Sequence, residues 1–327
     1  MIRNKIPITI LTGFLGAGKT TLLNRILKDN SNENAAVIVN EFGDLSIDSA
    51  LIMNTKEEII EINSGCICCN VRGDLISILS TLLKRFIKEE IHINRVIIET
   101  TGLANPAPVI QTFLMDDLMA SWFEIDSVCT VLDSKHILQH IDIETALEQI
   151  AFADVLIFNK VELIDKQELD GLKARIIGIN PNAKMLFSSN CEIDIKEIID
   201  IKSFELGNKL KINPQLLKNE HRHQHNDDIN SFIFTDERPL NLDKINKWFS
   251  YLVQIKGESL YRYKGILHIA DRKERVVFQG VHMLFSGTSD RKWKKDEAKL
   301  SKIVLIGKNL NKLELEKGFE YCVAAQR

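Results

Sequence analysis

The chain is poor in cysteine, with six among 327 residues. That scarcity excludes a fold stapled by disulfides, because a chain of this length buries a full hydrophobic core without them. It also lacks any uninterrupted apolar run approaching the roughly 20 residues a membrane-spanning helix requires. The N-terminal stretch ITILTGFLGA is apolar, but it has no small-residue cleavage site and runs directly into Gly18, Lys19 and Thr20, so it reads as a buried strand rather than a leader. An excess of one charge is missing too: 42 basic side chains stand against 45 acidic ones, a net charge of -3. Nothing electrostatic therefore points to nucleic acid or to anionic lipid as a partner. No repeat period is visible. A cytoplasmic protein of two domains is the expectation.

What is present is alternation. The apolar runs IPITILT, AAVIVN, RVIIET, SVCTVLD, DVLIFN and KMLFSS read as buried parallel strands. Helical patterns at Thr20 to Leu27, Asp74 to Lys88 and Gln167 to Ile177 lie between or after them. The expected fold class is α/β: a doubly wound, mostly parallel sheet of the P-loop NTPase kind over residues 1–205, with a smaller C-terminal α+β domain over residues 229–327. Residues 206–228, polar and histidine-containing, read as a linker. The second domain is expected to hold strands SFIFTD, LYRYKGILHI, RVVFQGVHMLFSG and KIVLIG, with helices at Leu242 to Ile255 and Lys312 to Val323.

The segment GFLGAGKT, Gly13 to Thr20, carries the pattern G-x-x-x-x-G-K-[ST] between the first strand and the first helix, the context in which that pattern has physical meaning. Its glycines let backbone N–H groups turn inward around phosphate oxygens, and the helix N-terminus adds a positive dipole end. The candidate nucleotide cradle is Gly13, Phe14, Leu15, Gly16, Ala17, Gly18, Lys19, Thr20 and Thr21. Lys19 is expected to reach the β- and γ-phosphates and the Thr20 hydroxyl to bind Mg²⁺. RVIIETTG ends a strand on Glu99, placed to steer the Mg²⁺ shell, and sets Gly102 three residues on, where a backbone N–H can sense a γ-phosphate. DVLIFNKVE supplies Asn159 and Lys160, the beginning of the N-K-x-D arrangement by which GTPases hold guanine; the fourth position is Glu162, which has the chemistry of Asp with one methylene more. GTP is thus the expected nucleotide, with ATP as its competitor.

Three of the six cysteines, Cys66, Cys68 and Cys69, crowd into NSGCICCNVRGD. Clustered thiols in a reducing compartment are metal ligands or redox groups rather than structural bridges. Cys66 and Cys69 form a C-x-x-C pair, but the thioredoxin-like βα turn that motif expects is missing. Soft thiolates suit Zn²⁺, with Cu(I) as the chemical rival. An extended strand would put Cys66 and Cys68 on one side and Cys69 on the other, so three ligands require a bent loop, which Gly65 supplies. A three-ligand site keeps a fourth position open and can hand its metal on.

Taken together, ITILTGFLGAGKTTLLN, VNEFGD, NSGCICCNVRGDL, VIIETTGLANPAPVIQTF, LYRYKGILHI, VFQGVHMLFS and KIVLIGKNL resemble the CobW/YjiA group of P-loop GTPases over both domains and nearly the whole chain. The resemblance implies a GTP-hydrolysing chaperone that transfers Zn²⁺, or cobalt in some branches, from the cysteine motif to a client metalloprotein. It adds Asp44, the acid after NEFG, to the surroundings of the metal, and Glu41 to the same switch loop; Val39 stands where some relatives carry a further acid. It assigns client recognition to the second domain and makes a nucleotide-dependent homodimer an expectation. The competing functions are a regulatory GTPase whose thiols sense metal or redox state without delivery, and an ATP-dependent enzyme.

Weaker signals remain. HRHQH sets His221, His223 and His225 at alternate positions, an auxiliary metal-gathering tract or simply a solvated stretch. His92, His136, His140, His268 and His282 read as surface or packed residues, and Cys129 and Cys322 as packing residues. Arg262, Tyr263, Lys264 and Trp293 read as shaping the second domain's surface, and DIKEIIDI, Asp194 to Ile201, as an amphipathic helix.

Overall fold

The computed structural model describes residues 5–29, 34–41, 58–63, 71–203, 229–295 and 297–324. The chain divides into two compact units, one of residues 1–174 with 183–204, the other of residues 175–182 with 205–327.

The first unit is built on seven strands: β1 (Ile6–Thr12), β2 (Ala35–Glu41), β3 (Glu58–Asn63), β4 (Arg95–Glu99), β5 (Phe123–Asp133), β6 (Val155–Asn159) and β7 (Lys184–Phe187). Their order is β3-β2-β4-β1-β5-β6-β7, and every pairing is parallel. The connections carry α1 (Lys19–Lys28), α2 (Val71–Ile87), α3 (Ala107–Met115), α4 (Asp117–Trp122), α5 (Ile137–His140), α6 (Glu144–Phe152) and α7 (Lys166–Ile179). Continuous apolar strands are what burial on both faces demands. Consecutive residues of β6, Val155 to Phe158, are indeed wholly buried. Helix α1 lays Leu22, Leu23, Ile26 and Leu27 on a core that contains Leu11, Val37, Ile97, Val131 and Ile157. Each such side chain contributes about 1.5–3 kcal/mol by leaving water. Strand order reverses at β1, with β2 and β3 on one side and β5, β6 and β7 on the other, so the loop after β1 opens into the crevice where doubly wound sheets hold ligands.

Two local expectations are corrected. EIIEIN forms β3, a strand the apolar runs did not reveal. DIKEIIDI forms only a 3₁₀ turn at Ile195–Glu197 instead of a helix. Its isoleucines Ile195, Ile198 and Ile199 are buried in the same core as α1, but the chain is pulled away before a second turn. Asp126 accepts hydrogen bonds from the backbone N–H groups of Asp200 (2.7 Å) and Lys202 (2.6 Å), and both residues adopt positive φ.

The second unit contains β8 (Ile229–Asp236), α8 (Leu242–Lys256), β9 (Leu260–Leu267), β10 (Glu274–Val281), β11 (Leu284–Lys292), β12 (Ser301–Lys308) and α9 (Lys312–Tyr321). Its strands form an antiparallel sheet of order β11-β10-β9-β12-β8. Asn241 and Asn311 cap the two helices through their side-chain oxygens. The helices bury Trp248, Phe249 and Phe319 against Phe234, Tyr263, Phe278 and Leu305. RVVFQGVHMLFSG, expected as one strand, is a hairpin of β10 and β11 that turns at His282, φ 51°, and Met283. Arg262 and Tyr263, expected at the surface, are 4% and 0% exposed. A Cβ at Gly280 would fall 2.0 Å from the Tyr263 ring, so a glycine there is what lets the tyrosine lie inward.

At the sheet edge, the buried Arg275 guanidinium bonds the carboxylates of Asp290 and Glu297, and Arg291 bonds Glu297 from outside. Arg291, with the Lys294 N–H and Arg275 behind it, holds the Glu297 carboxyl down at about 2 despite some desolvation. Because the folded-state value lies below the ordinary 4.5, this contribution to stability is present above that pH and is lost as pH falls through about 2. Arg275→Ala is therefore expected to lower the denaturant midpoint, since it removes the guanidinium bonded to partly exposed Asp290 and one of the two that hold Glu297. The stability difference between the wild type and Glu297→Gln should shrink as the solution is made acid; a constant difference would contradict this account.

Candidate nucleotide-binding site

The loop between β1 and α1 takes backbone conformations that its glycines permit. Gly13 and Gly18 have φ of 138° and 111°, and a Cβ on Gly13 would lie 2.2 Å from the Val131 carbonyl oxygen. Gly18 opens α1 without a side-chain cap, and the first turn carries no acid. That helix N-terminus is electrostatically suited to an anion. Lys19, largely buried, points back along the loop and donates to the Phe14 carbonyl oxygen at 3.3 Å.

Parallel register brings the end of β4 beside the end of β1, with Leu11 opposite Glu99. The Thr20 hydroxyl then donates to Glu99 Oε1 at 2.9 Å. Glu99 is buried. A hydroxyl and a carboxylate in contact at the mouth of a phosphate loop are hard oxygen donors, the set that Mg²⁺ prefers. Beyond Glu99, Thr100 is tied to Leu11 and Thr12 of β1, and the turn around Gly102 approaches the loop so closely that a Cβ there would lie 2.6 Å from the Leu15 nitrogen. Leu15 itself is exposed, while the Phe14 ring stacks on His140 with centroids 4.6 Å apart.

On the other side of β1, the ends of β5 and β6 place Asp133 opposite Asn159. Asn159 is buried and occupied three ways: it donates to the Ala17 carbonyl oxygen (2.9 Å) and accepts from the Cys191 N–H (2.8 Å) and the Ser188 hydroxyl (3.3 Å). It locks the phosphate loop to the loop after β7. Lys160, at φ 61°, donates to Asp133 at 2.7 Å, and His136 contacts the same carboxylate oxygen at 3.1 Å. Partial burial pushes the Asp133 carboxyl up, but Lys160 and His136 outweigh it and hold the group below the ordinary carboxylate range. Glu162 is exposed in a 3₁₀ turn, Val161–Leu163, and a hydrogen bond from the Ser189 hydroxyl lowers its pKa.

Thus Gly13 to Thr21, Glu99, Gly102, Asn159, Lys160 and Glu162 all lie around the C-terminal ends of β1, β4 and β6. Glu41 ends β2, the neighbour of β4. Asp44, Cys66, Cys68, Cys69, His221, His223 and His225 lie outside the described residues. Among the described residues no group of three or more metal-ligating side chains is placed to hold an ion. Cys129, Cys191 and Cys322 are buried thiols, and burial pushes them up to about 12, 11 and 12. They are poor ligands for that reason.

Sequence reasoning missed two parts of this site. Asp133 carries the same signal as Glu99, an acid closing an apolar strand, but without a neighbouring motif to mark it. The loop Ser188 to Glu192 has no motif; it is held by Asn159 and by Arg25 of α1, which bonds the Asn190 carbonyl (2.8 Å) and Glu192 (2.9 Å).

Residues 7–187 match the family described as CobW/HypB/UreG, nucleotide-binding domain, and residues 229–323 match the Cobalamin synthesis protein cobW C-terminal domain. Zinc chaperone YjiA of Escherichia coli is 33% identical to this chain, over 97% of it and 98% of YjiA. Zinc-regulated GTPase metalloprotein activator 1 of Schizosaccharomyces pombe is 30% identical, over 94% of this chain and 84% of its own. The crystal structure of Zn(II)-bound YjiA GTPase from E. coli superimposes with a TM-score of 0.79 and 28% identity, covering 98% of this chain and 100% of that one.

Asn159→Ala would leave the Ala17 carbonyl and the Cys191 N–H without their buried partner, at an expected cost of about 2 kcal/mol or more. Thermal unfolding of the nucleotide-free protein measures it. An unchanged melting temperature would mean that the two loops do not depend on this amide.

Proposed function

The chain belongs to the CobW family of nucleotide-binding proteins, and we propose that it is a GTP-hydrolysing zinc chaperone that passes Zn²⁺ from Cys66, Cys68 and Cys69 to client metalloproteins. The observation that carries the hydrolase half is the 2.9 Å bond from Thr20 to Glu99, which joins the phosphate loop to a strand-end acid 79 residues away in the chain. The zinc half rests on the three clustered thiols and on the likeness to YjiA, named a zinc chaperone.

The chain's own groups divide the work. Backbone N–H groups of the phosphate loop and the uncapped start of α1 receive the β- and γ-phosphates. Lys19 moves from the Phe14 carbonyl to the phosphate oxygens, offsetting negative charge as the γ-phosphoryl group leaves. Thr20 and Glu99 are the residues that would hold Mg²⁺. Held there, it would supply positive charge to offset the negative charge that builds up on the phosphates. The Gly102 turn offers a backbone N–H to the γ-phosphate side, so it responds to hydrolysis. Lys160, steadied by Asp133, and Glu162, with Ser189 beside it, form the base end, where the carboxylate accepts from guanine's ring N–H and exocyclic amine.

Zinc is the cargo. The cysteines fall in the chain between the end of β3 and the start of α2, and β3 pairs with β2, the neighbour of β4. Nucleotide state and zinc affinity are coupled through that segment, and by linkage each alters the other equally. Delivery then follows hydrolysis, with three thiolates and an open fourth position giving up the ion to a better-ligated client.

Lys19→Ala is expected to lower GTP turnover by on the order of 10²-fold or more and to abolish zinc transfer to an apo-acceptor. Cys68→Ala should keep GTP binding and lose transfer. Zinc retained through wild-type turnover would favour a sensing GTPase over a chaperone, and preferential competition by ATP would overturn the guanine assignment.

A further inference from the structure

Helix α6 carries a buried glutamine, and it is aimed at the turn after β4. Gln149 is 1% exposed, and its Nε2 donates to two carbonyl oxygens, Gly102 O and Ala104 O, each at 3.1 Å. Both partners are acceptors, which fixes the amide orientation. The Gln149 backbone carbonyl in turn accepts from the Thr130 hydroxyl of β5 at 2.7 Å, so the helix turn that presents the amide is itself tied to the sheet.

The turn it grips is short. Ala104 N–H donates to the Thr101 carbonyl at 3.1 Å, closing the turn over Gly102 and Leu103. Thr100 anchors its start to Leu11 and Thr12, and Leu15 of the phosphate loop abuts Gly102 from the other side. Between those contacts the side chain reaching the turn from α6 is Gln149. Holding the carbonyls of Gly102 and Ala104 sets the peptide planes of the turn, and with them the direction of the N–H groups it offers to the phosphate side. Donors aimed before the reaction are worth most, and a displacement of about 1 Å can cost on the order of 10²-fold in rate.

We propose that Gln149 is a positioning residue for phosphoryl transfer: it holds the Gly102 turn in register with the phosphate loop and so sets kcat without touching the nucleotide. The proposal rests on the reading of this site as a GTP hydrolase. Gln149→Met fills the same volume with no donor. Gln149→Glu keeps the shape, donates one bond when protonated, and repels both carbonyls when ionised. Burial against two carbonyl oxygens raises the pKa of that introduced acid, so its protonated form gains population as pH falls.

The test is steady-state GTP hydrolysis by the full-length protein with Mg²⁺, measured across a pH series for the wild type and both variants. Wild-type turnover of GTP must be seen first; its absence would sink the functional reading itself rather than the role of Gln149. Given turnover, Gln149→Met is expected to lower kcat about tenfold or more with KM within about twofold. The kcat of Gln149→Glu relative to the wild type should rise as pH is lowered, while the Gln149→Met ratio stays flat. Should Gln149→Met fail to fold, the pH-dependent ratio of Gln149→Glu carries the test alone. A kcat within about twofold of wild type in folded variants, or a Gln149→Glu ratio that does not change with pH, would overturn the proposal.

Discussion

The parallel register of β4, β1, β5 and β6 is the constraint on which the site depends. Parallel strands deliver their C-terminal ends to one edge, and backbone pairing sets which residues arrive side by side. Leu11 opposite Glu99 puts a strand-end acid within reach of Thr20; Asp133 opposite Asn159 sets the carboxylate that Lys160 bonds beside the amide that holds the phosphate loop. A slip of one position would exchange the faces of an entire strand and bury the wrong side chains. The hydrophobic core that fixes this register, through residues such as Ile10, Ile97, Val131 and Ile157, therefore also fixes the chemistry.

Between the strand ends, a few buried polar side chains give the loops their shape. Thr20 and Glu99 satisfy each other, and Asn159 joins two loops through three hydrogen bonds. Such groups are costly to leave unmatched inside a protein, which makes each of them a strong specification of loop geometry rather than a mere attraction. Glycine complements them where backbone must approach backbone, at Gly13 against Val131 and at Gly102 against Leu15. The phosphate loop is accordingly gripped from β5, from the loop after β7 and from the turn after β4.

Much of this was legible in the amino-acid sequence because it rests on local patterns. The phosphate loop is a contiguous motif, the central strands are apolar runs, and the three thiols stand out by crowding alone. What escaped is what depends on distant partners. EIIEIN pairs only β2 among the described strands, and its acidic residues break up the apolar run that marks the central strands. DIKEIIDI has helical spacing, yet Asp126 takes its following N–H groups and ends the turn. LYRYKG looks like surface, but Gly280 on the neighbouring strand leaves room for Tyr263 to lie inward, and nothing in LYRYKG itself announces that vacancy. Asp133 and Ser188 to Cys191 gain meaning only once β5, β6 and β7 are set side by side.

In the proposed function, the link from this sheet edge to metal delivery runs through the chain between β3 and α2, where the thiols lie. If hydrolysis drives transfer, zinc affinity must depend on which nucleotide occupies the phosphate loop, since a ligand shifts an equilibrium only by its differential affinity for the two states. The most direct measurement is zinc affinity by competition with a chromophoric chelator, for the same protein loaded with GDP or with a non-hydrolysable GTP analogue. The account predicts tighter binding in the GTP-analogue state, and equal affinity in the two states would contradict it.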